Sequence, residues 1–314
     1  MAKRLLFIIN PYAGKGDIKN KIIDIIELFI RFGIQVSVHI SQRPNEIADV
    51  IAQREDCFDI IAACGGDGTL SETINGVMRL KNKPVIGFLP TGTTNDMADS
   101  LSLPKTLMEA AYVITENHTM KVDIGVFNNR HFMYAAAFGA FTQVPYITNQ
   151  AAKNVLGRAA YFFEGIRSLP KIRPMHVVYK VGNELFDEEV VLGMATNSSS
   201  VGGMSFITAK DFSLADGLLE VTLVKPPKKW SEGQQIINSI LTLDLEEAPD
   251  VVKSFKTEQI SFNFDISVPW TTDGEYAGSH TKVDIGIKKE SLSFFVREEA
   301  FSGVDTYEDI RPWV

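Results

Sequence analysis

Short apolar runs alternate with amphipathic segments through roughly the first 120 residues, and this alternation narrows the choice of folds. Strands are predicted at residues 5–9, 35–40, 59–64 and 85–89. Helices are predicted at residues 18–32, 44–54 and 70–80, with a further helical stretch that ends at residue 114. This pattern favours an α/β domain with a mostly parallel sheet and helices on both faces.

From Lys121 onward the pattern changes to strands separated by turns. A hairpin is predicted from residues 122–127 and 131–137, because the Asn128-Asn129 pair between them tolerates the positive φ of a tight turn. Further strands are predicted at 176–181, 188–196, 218–224, 259–268, 283–287 and 292–296, with helical stretches near 151–168 and 232–243. We therefore expect an α/β domain over residues 1–122 and a β-sandwich domain over residues 123–296.

Charge and composition exclude several classes of protein. The 31 basic and 39 acidic residues give a net charge of −8, which argues against nucleic-acid binding and against simple adsorption to an anionic membrane. Cys57 and Cys64 lack the spacing of a metal site, so we expect reduced thiols in a cytoplasmic protein. Asn10 and Pro11 end the first apolar run too early for a signal peptide, and no run approaches the roughly 18 apolar residues of a transmembrane helix.

The run CGGDGTLSE at residues 64–72 carries the strongest chemical signal, because it lies between a buried strand and a helix. Its glycines allow backbone N–H groups to approach a bound group closely, and a helix N-terminus favours an anion. The alternative is a plain glycine-rich turn. Asp67 weighs against that alternative, since a carboxylate beside phosphates needs a divalent cation between them.

Two further polar loops follow predicted strands. The run PTGTTND at residues 90–96 brings hydroxyls, an amide and a carboxylate to the same sheet edge, unless it is only a helix cap. The run NPYAGKG at residues 10–16 offers a glycine turn and one lysine. Neither the P-loop pattern nor the complete dinucleotide pattern is present. The coincidence of three such loops predicts a phosphate-binding site.

These motifs resemble those of the bacterial diacylglycerol kinase family of soluble lipid kinases. The resemblance rests on GGDGT at 65–69, NP at 10–11, PTGTTND at 90–96, KVDIG at 121–125, DG at 216–217 and DGEY at 273–276. NAD kinases and phosphofructokinases share the GGDG core, whereas the second loop and the late DGE favour the lipid kinases. The resemblance implies that residues 1–122 form a nucleotide-binding catalytic domain like that of NAD kinase and that residues 123–296 form a β-sandwich domain for the lipid substrate. It also implies that a segment at about 297–314 packs back on the first domain.

The resemblance also implies roles for individual residues. ATP would contact Asn10, Pro11, Tyr12, Ala13, Gly14, Ser41, Gly66, Asp67, Gly68, Thr69, Leu70, Ser71, Glu72 and Thr93. Asp67, Asp96 and Asp123 would form a catalytic carboxylate cluster that organises Mg²⁺ and water, and Glu275 would be the general base. A structural Mg²⁺ would be held by Ser213, Asp216 and Leu218. Read without the resemblance, Asp273-Gly274-Glu275 and Asp216-Gly217 are also ordinary turns, and Asp123 is also a strand-edge residue.

The expected acceptor is the hydroxyl of diacylglycerol, phosphorylated at the membrane surface to phosphatidic acid. Residues 151–174 carry a net charge of +4 and many apolar side chains, so they either lie on the membrane or pack as a helix on the sandwich. Two other functions stay open: a kinase of another alcohol, such as a sphingoid base, an undecaprenol-like lipid or NAD, and a silent nucleotide-binding regulator. Peripheral membrane association and a homodimer are further expectations.

Overall fold

A computed structural model of the chain describes residues 2–13, 18–54, 57–92, 95–139, 173–197, 200–201, 204–205, 213–227 and 251–298. The first half contains β1 (Arg4–Ile9), α1 (Ile18–Arg31), β2 (Gln35–Ile40), α2 (Ile47–Ala52), β3 (Ile60–Gly65), α3 (Asp67–Val77), β4 (Val85–Pro90), α4 (Asp96–Ser100) and α5 (Leu107–Glu116). The strands lie in the order β4-β3-β1-β2, and each neighbouring pair is parallel. The predicted α/β architecture is confirmed.

The carboxyl ends of these strands meet at one edge of the sheet. Ile9 pairs with Cys64 on one side and with Ile40 on the other, and Gly65 pairs with Pro90. Strands β1, β3 and β4 are almost entirely buried, as expected for parallel strands covered on both faces. The loops that follow them therefore begin side by side.

The second half is built mainly of antiparallel strands, which confirms the predicted β-rich second domain. Its strands are β5 (Thr119–Phe127), β6 (Arg130–Phe132), β7 (Ala135–Gly139), β8 (Met175–Val181), β9 (Glu184–Val190), β10 (Leu192–Thr196), β11 (Ser200–Val201), β12 (Met204–Ser205), β13 (Leu219–Val224), β14 (Val252–Thr257), β15 (Gln259–Thr272) and β16 (Glu275–Phe295). Its core is separate from the first and is rich in aromatic rings, with Phe138, Phe262 and Trp270 in mutual contact.

Strand β16 connects the two halves of the molecule. It pairs with β15 at its start and with β5 further on, and Phe294 near its end pairs with Ile86 of β4. Leu292, Phe294 and Phe295 are buried in the core of the first half. The chain thus enters that core before residue 297. The domain boundaries stay a prediction, because residues 299–314 lie outside the described part of the chain.

Two predicted strand boundaries were wrong. The strand expected at 188–196 is divided between β9 and β10, because Val191 leaves the ladder and its N–H donates to the carbonyl of Val224 at 2.8 Å. The strands expected at 283–287 and 292–296 belong to the single strand β16. The polar residues between them stay in the strand, with a register shift between Lys288 and Leu292.

The second predicted helix is shorter than expected. Its predicted start at residue 44 moves to Ile47, because Asn45 adopts a left-handed φ of 64°. The helices expected near 151–168 and 232–243 lie outside the described residues. Within the described ranges, no helix has the length and apolar character needed to cross a membrane.

Candidate active site

The loop after β1 is attached to the glycine-rich loop after β3. The Nδ2 of Asn10 donates to the Oγ1 of Thr69 at 3.0 Å, and the backbone N–H of Asn10 donates to the Cys64 carbonyl at 2.9 Å. The Oδ1 of Asn10 also accepts the N–H of Tyr12 at 3.0 Å, which turns the chain sharply. The loop that begins at Asn10 and the glycine-rich loop at 64–72 therefore lie side by side above the sheet edge.

The loop at 90–96 packs closely against the glycine-rich loop at 64–72. A Cβ on Gly92 would lie 2.6 Å from the Cα of Gly66, so neither backbone leaves space for a side chain on Gly92. The N–H of Asn95 donates to Asp67 Oδ2 at 2.8 Å. Asn95 has φ 56° and begins the short helix α4, whose first residue, Asp96, is 1% exposed. Asp67 and Asp96 are thereby held on adjacent loops.

Glu275 reaches these loops from the far end of the sequence. A Cβ on Gly68 would lie 2.7 Å from Glu275 Oε1, so this carboxylate rests against the glycine-rich loop. The turn before it has φ 50° at Asp273 and 77° at Gly274, which is the pattern of a two-residue type I′ hairpin between β15 and β16. The turn predicted from the Asp-Gly pair is present, and it aims the next residue at the predicted phosphate loop.

Asp273 fixes this turn from inside the protein. It is buried, and its carboxylate accepts backbone N–H groups from Met133 at 2.9 and 3.1 Å, from Tyr134 at 2.9 Å and from Ala135 at 3.3 Å. The N–H of Asp273 also donates to the Ala135 carbonyl at 2.8 Å. The sequence indicated only a turn here, because a D-G pair carries no signal for which distant backbone the carboxylate will bind.

Burial shapes the acid–base properties of the site. Burial raises the pKa of Glu275, the carboxylate of Glu72 raises it further, and Arg130 opposes both. Burial also raises the pKa of the Tyr134 phenol, and four carboxylates add to that effect. In order of effect these are Asp273, Asp67, Asp96 and Glu275. A base with a raised pKa is better matched to proton abstraction near neutral pH than an ordinary glutamate.

Replacement of Asp273 by asparagine will remove a pH dependence of stability. Burial raises the pKa of Asp273 to about 6, whereas an unfolded aspartate titrates near 3.9. The folded state therefore binds the extra proton between about pH 4 and 6, so this carboxyl stabilises the fold at pH 4 relative to pH 7 by at most about 3 kcal/mol. We expect the wild-type free energy of unfolding, relative to Asp273→Asn, to fall as the pH rises from 4 to 6.

Denaturant titrations of both proteins at pH 4.5, 5.5, 6.5 and 7.5 measure this difference. Glu275 is present in both proteins, so its own titration largely cancels. Asp24→Asn, which changes an exposed carboxylate on α1, is the matched control. A difference between wild type and Asp273→Asn that stays constant or grows with pH contradicts the prediction.

Asp123 lies beside a different turn. Its carboxylate is fully buried and accepts the N–H of Gly217 and the N–H of Glu290, each at 2.6 Å. Asn197 connects this position to the site, because its Nδ2 donates to the Asp123 carbonyl and its N–H donates to the Tyr134 carbonyl. The structure thus holds Asp67 and Asp96 on adjacent loops and brings Glu275 against Gly68. Asp123 lies next to residues 213–218 and is connected to Tyr134 through Asn197.

The other residues predicted to contact the nucleotide lie in three places: on the loops after β1 and β2, within α3, and outside the described residues. Ser41 is buried where β2 ends, and its N–H donates to the Ile9 carbonyl at 2.9 Å, whereas the Tyr12 side chain is 83% exposed. The Leu70 side chain belongs to the hydrophobic core, and Glu72 uses both carboxylate oxygens to accept the N–H groups of Asn45 and Ile47. Gly14 and Thr93 lie outside the described residues.

The residues proposed for magnesium offer oxygen ligands, which suit this ion. In the turn at 213–218, Asp216 Oδ1 accepts the N–H of Leu218 at 3.0 Å, and Asp216 Oδ2 pairs with the Lys256 ammonium at 3.3 Å. No cluster of three metal-binding side chains occurs within the described ranges.

Comparison with known proteins agrees with this architecture. Residues 4–127 match the family model "Diacylglycerol kinase catalytic domain", and residues 135–289 match "YegS C-terminal NAD kinase beta sandwich-like domain". The chain is 32% identical over 281 residues to a diacylglycerol kinase of Bacillus subtilis strain 168, covering 88% of this chain and 91% of that protein. It is 31% identical to one of Staphylococcus epidermidis, covering 99% of both.

A crystal structure of a diacylglycerol kinase from Bacillus anthracis str. Sterne superposes with a TM-score of 0.80 at 25% identity, covering 95% of this chain and 98% of that one. The family model and the curated relatives define an ATP-dependent phosphotransferase. Within that class, the chain belongs to the diacylglycerol kinase family.

Proposed function

We propose that this chain is an ATP- and Mg²⁺-dependent lipid kinase that transfers the γ-phosphate of ATP to the hydroxyl of diacylglycerol and forms phosphatidic acid. The contact of Glu275 Oε1 with Gly68 carries the proposal, since it brings a carboxylate from the second half of the chain against the glycine-rich loop. The names of the curated relatives support diacylglycerol as the acceptor.

The chemical step follows from these positions. The acceptor oxygen attacks the γ-phosphorus in line, the bond from that phosphorus to the bridging oxygen of ADP breaks, and the hydroxyl proton passes to the carboxylate of Glu275. Backbone N–H groups of Gly66 and Gly68, at the start of α3, would hold phosphate oxygens. Glu275, held on the rigid turn that Asp273 anchors, orients the acceptor.

Magnesium would be held near Asp67 and Asp96, and Asp123 would help to organise the ion and its water. When bound, the ion neutralises phosphate charge and so reduces repulsion from the acidic residues. A second Mg²⁺ at Ser213, Asp216 and Leu218 would be structural, and it would compete with Lys256 for the carboxylate of Asp216. Both assignments belong to the proposal.

The acceptor would be taken up at the membrane surface, with the protein cytoplasmic and peripherally associated. The net charge of +4 in residues 151–174 supports this placement against the overall charge of −8. Most of that segment lies outside the described residues. A homodimer is part of the same proposal.

Radiolabelled ATP, presented with a panel of acceptors in mixed micelles, tests the function. The panel contains diacylglycerol, a sphingoid base, undecaprenol and NAD, each with and without Mg²⁺. We expect Mg²⁺-dependent labelling of diacylglycerol above all others. Preferential labelling of another acceptor refutes the proposed substrate. Labelling of none refutes the kinase and leaves a nucleotide-binding regulator.

A further inference from the structure

Tyr134 lies at the meeting point of the two halves of the protein. The residue is 6% exposed and belongs to the core of the first half. Its backbone N–H donates to Asp273 Oδ1 at 2.9 Å, and its carbonyl accepts the N–H of Asn197 at 3.0 Å. Its backbone is therefore fixed by the same carboxylate that anchors the turn carrying Glu275.

The phenol hydroxyl points at that turn. A Cβ on Gly274 would lie 3.5 Å from the Tyr134 hydroxyl oxygen, and Gly274 immediately precedes Glu275. Glu275 in turn rests against Gly68 of the glycine-rich loop. The hydroxyl thus lies where the general-base turn meets the phosphate loop.

The chemistry of the crevice calls for a donor at this point. The four side chains that add to burial in raising the pKa of Tyr134 are carboxylates, and each of them is an acceptor when it is ionised. A phosphoryl group in transfer carries negative charge on its equatorial oxygens and is stabilised by donors aimed at them. Burial and the surrounding carboxylates raise the pKa of Tyr134, so the hydroxyl keeps the proton that it would donate.

We propose that the Tyr134 hydroxyl donates a hydrogen bond to an equatorial oxygen of the phosphoryl group while that group is transferred, which makes Tyr134 a catalytic residue. This inference rests on the proposed kinase function, but it does not depend on which alcohol is the acceptor. The family motifs at 65–69, 90–96 and 273–276 do not contain this residue, and the sequence alone placed it only in a hairpin strand.

Tyr134→Phe removes the hydroxyl and keeps the ring that packs in the core. Because the variant loses one hydrogen bond to a charged group in the transition state, we expect kcat to fall by about 10- to 100-fold. The KM values for ATP and diacylglycerol should stay within about twofold of wild type. The thermal midpoint should not change. Tyr112→Phe is the matched control and should keep full activity. It alters an exposed tyrosine of α5 whose ring packs on Phe32. An unchanged kcat, or a loss expressed only as a raised KM for the acceptor, overturns the proposal.

A binding measurement separates this proposal from the identity of the acceptor. ADP with Mg²⁺ and aluminium fluoride mimics the phosphoryl group in transfer, and calorimetry measures its affinity without any lipid. We expect Tyr134→Phe to bind this complex at least about 10-fold more weakly than wild type and to bind ADP alone equally well. Equal affinities for the aluminium fluoride complex overturn the role of Tyr134, even if diacylglycerol is phosphorylated. A wild type that labels an acceptor other than diacylglycerol, yet binds the complex more tightly than Tyr134→Phe, contradicts only the proposed acceptor.

Discussion

Glu275→Gln is expected to lower kcat for lipid phosphorylation by about 10²- to 10⁴-fold, the usual contribution of a general base. Glutamine keeps the size of the side chain and its contact with Gly68, but its amide cannot accept the proton of the acceptor hydroxyl. The affinity for ATP should stay near that of wild type, because the loops that hold phosphate are unaltered. Product labelling and nucleotide calorimetry on the same preparation measure the two quantities.

The pH profile provides a second measurement for this variant. Because partial burial raises the pKa of Glu275, the acidic limb of the wild-type kcat/KM profile should lie above the pH at which a fully solvated glutamate titrates. Glu275→Gln should lose that limb along with its activity. Glu184→Gln, an exposed carboxylate at the start of β9, is the control and should leave rate and profile intact. Full activity in Glu275→Gln would assign the base to another residue.

Local pattern was sufficient to predict the first half of the site. Parallel strands bring their following loops to one edge, so Asn10, Gly66 and Asn95 were expected at the same edge of the sheet. The D-G pair at 273–274 predicted a tight turn for an equally local reason, since both residues tolerate positive φ. These features depend on interactions close in sequence or on a general rule of sheet topology.

The remaining part of the site depends on the pairing of strands that are far apart in sequence, which no local pattern predicts. The contact between Glu275 and Gly68 depends on the register of β15 with β7 and of β16 with β5, which joins residues more than a hundred positions apart. The four backbone contacts of Asp273 depend on the same pairing. The hydroxyl of Tyr134 acquires its surroundings only after both registers are set, so it carried no signal in the sequence.

The position of Asp123 shows a limit of transferring roles by motif. The resemblance groups it with Asp67 and Asp96, whereas its carboxylate oxygens hold the backbone amides of Gly217 and Glu290. Its catalytic role stays a prediction. A fully buried carboxylate with two N–H donors at 2.6 Å also fastens the turn at 213–218 to the strand that enters the second domain.

Asp67→Asn is expected to lower kcat/KM for ATP by about 10²- to 10³-fold, because it removes a charge that would hold the metal at the phosphates. The substitution tests charge more cleanly than alanine would. Asparagine keeps an oxygen that can accept the N–H of Asn95, which now donates to Asp67 Oδ2 at 2.8 Å, so the packing of the two loops is retained. Unchanged thermal midpoints in the absence of ligand would show that the loops are intact.

The decisive quantity is the dependence of nucleotide affinity on Mg²⁺. For wild type we expect ATP to bind more tightly with Mg²⁺ than without it, because an acidic crevice repels the bare triphosphate. In Asp67→Asn this difference between the two ATP affinities should nearly disappear. The affinity without Mg²⁺ should rise, because the repulsion of the triphosphate falls. The affinity with Mg²⁺ should drop, because the ion loses the carboxylate of Asp67. Asp24→Asn on the exposed face of α1 controls for net charge and should behave as wild type. An unchanged Mg²⁺ titration in Asp67→Asn would remove this carboxylate from the site, and with it the reason for placing the phosphates against the glycine-rich loop.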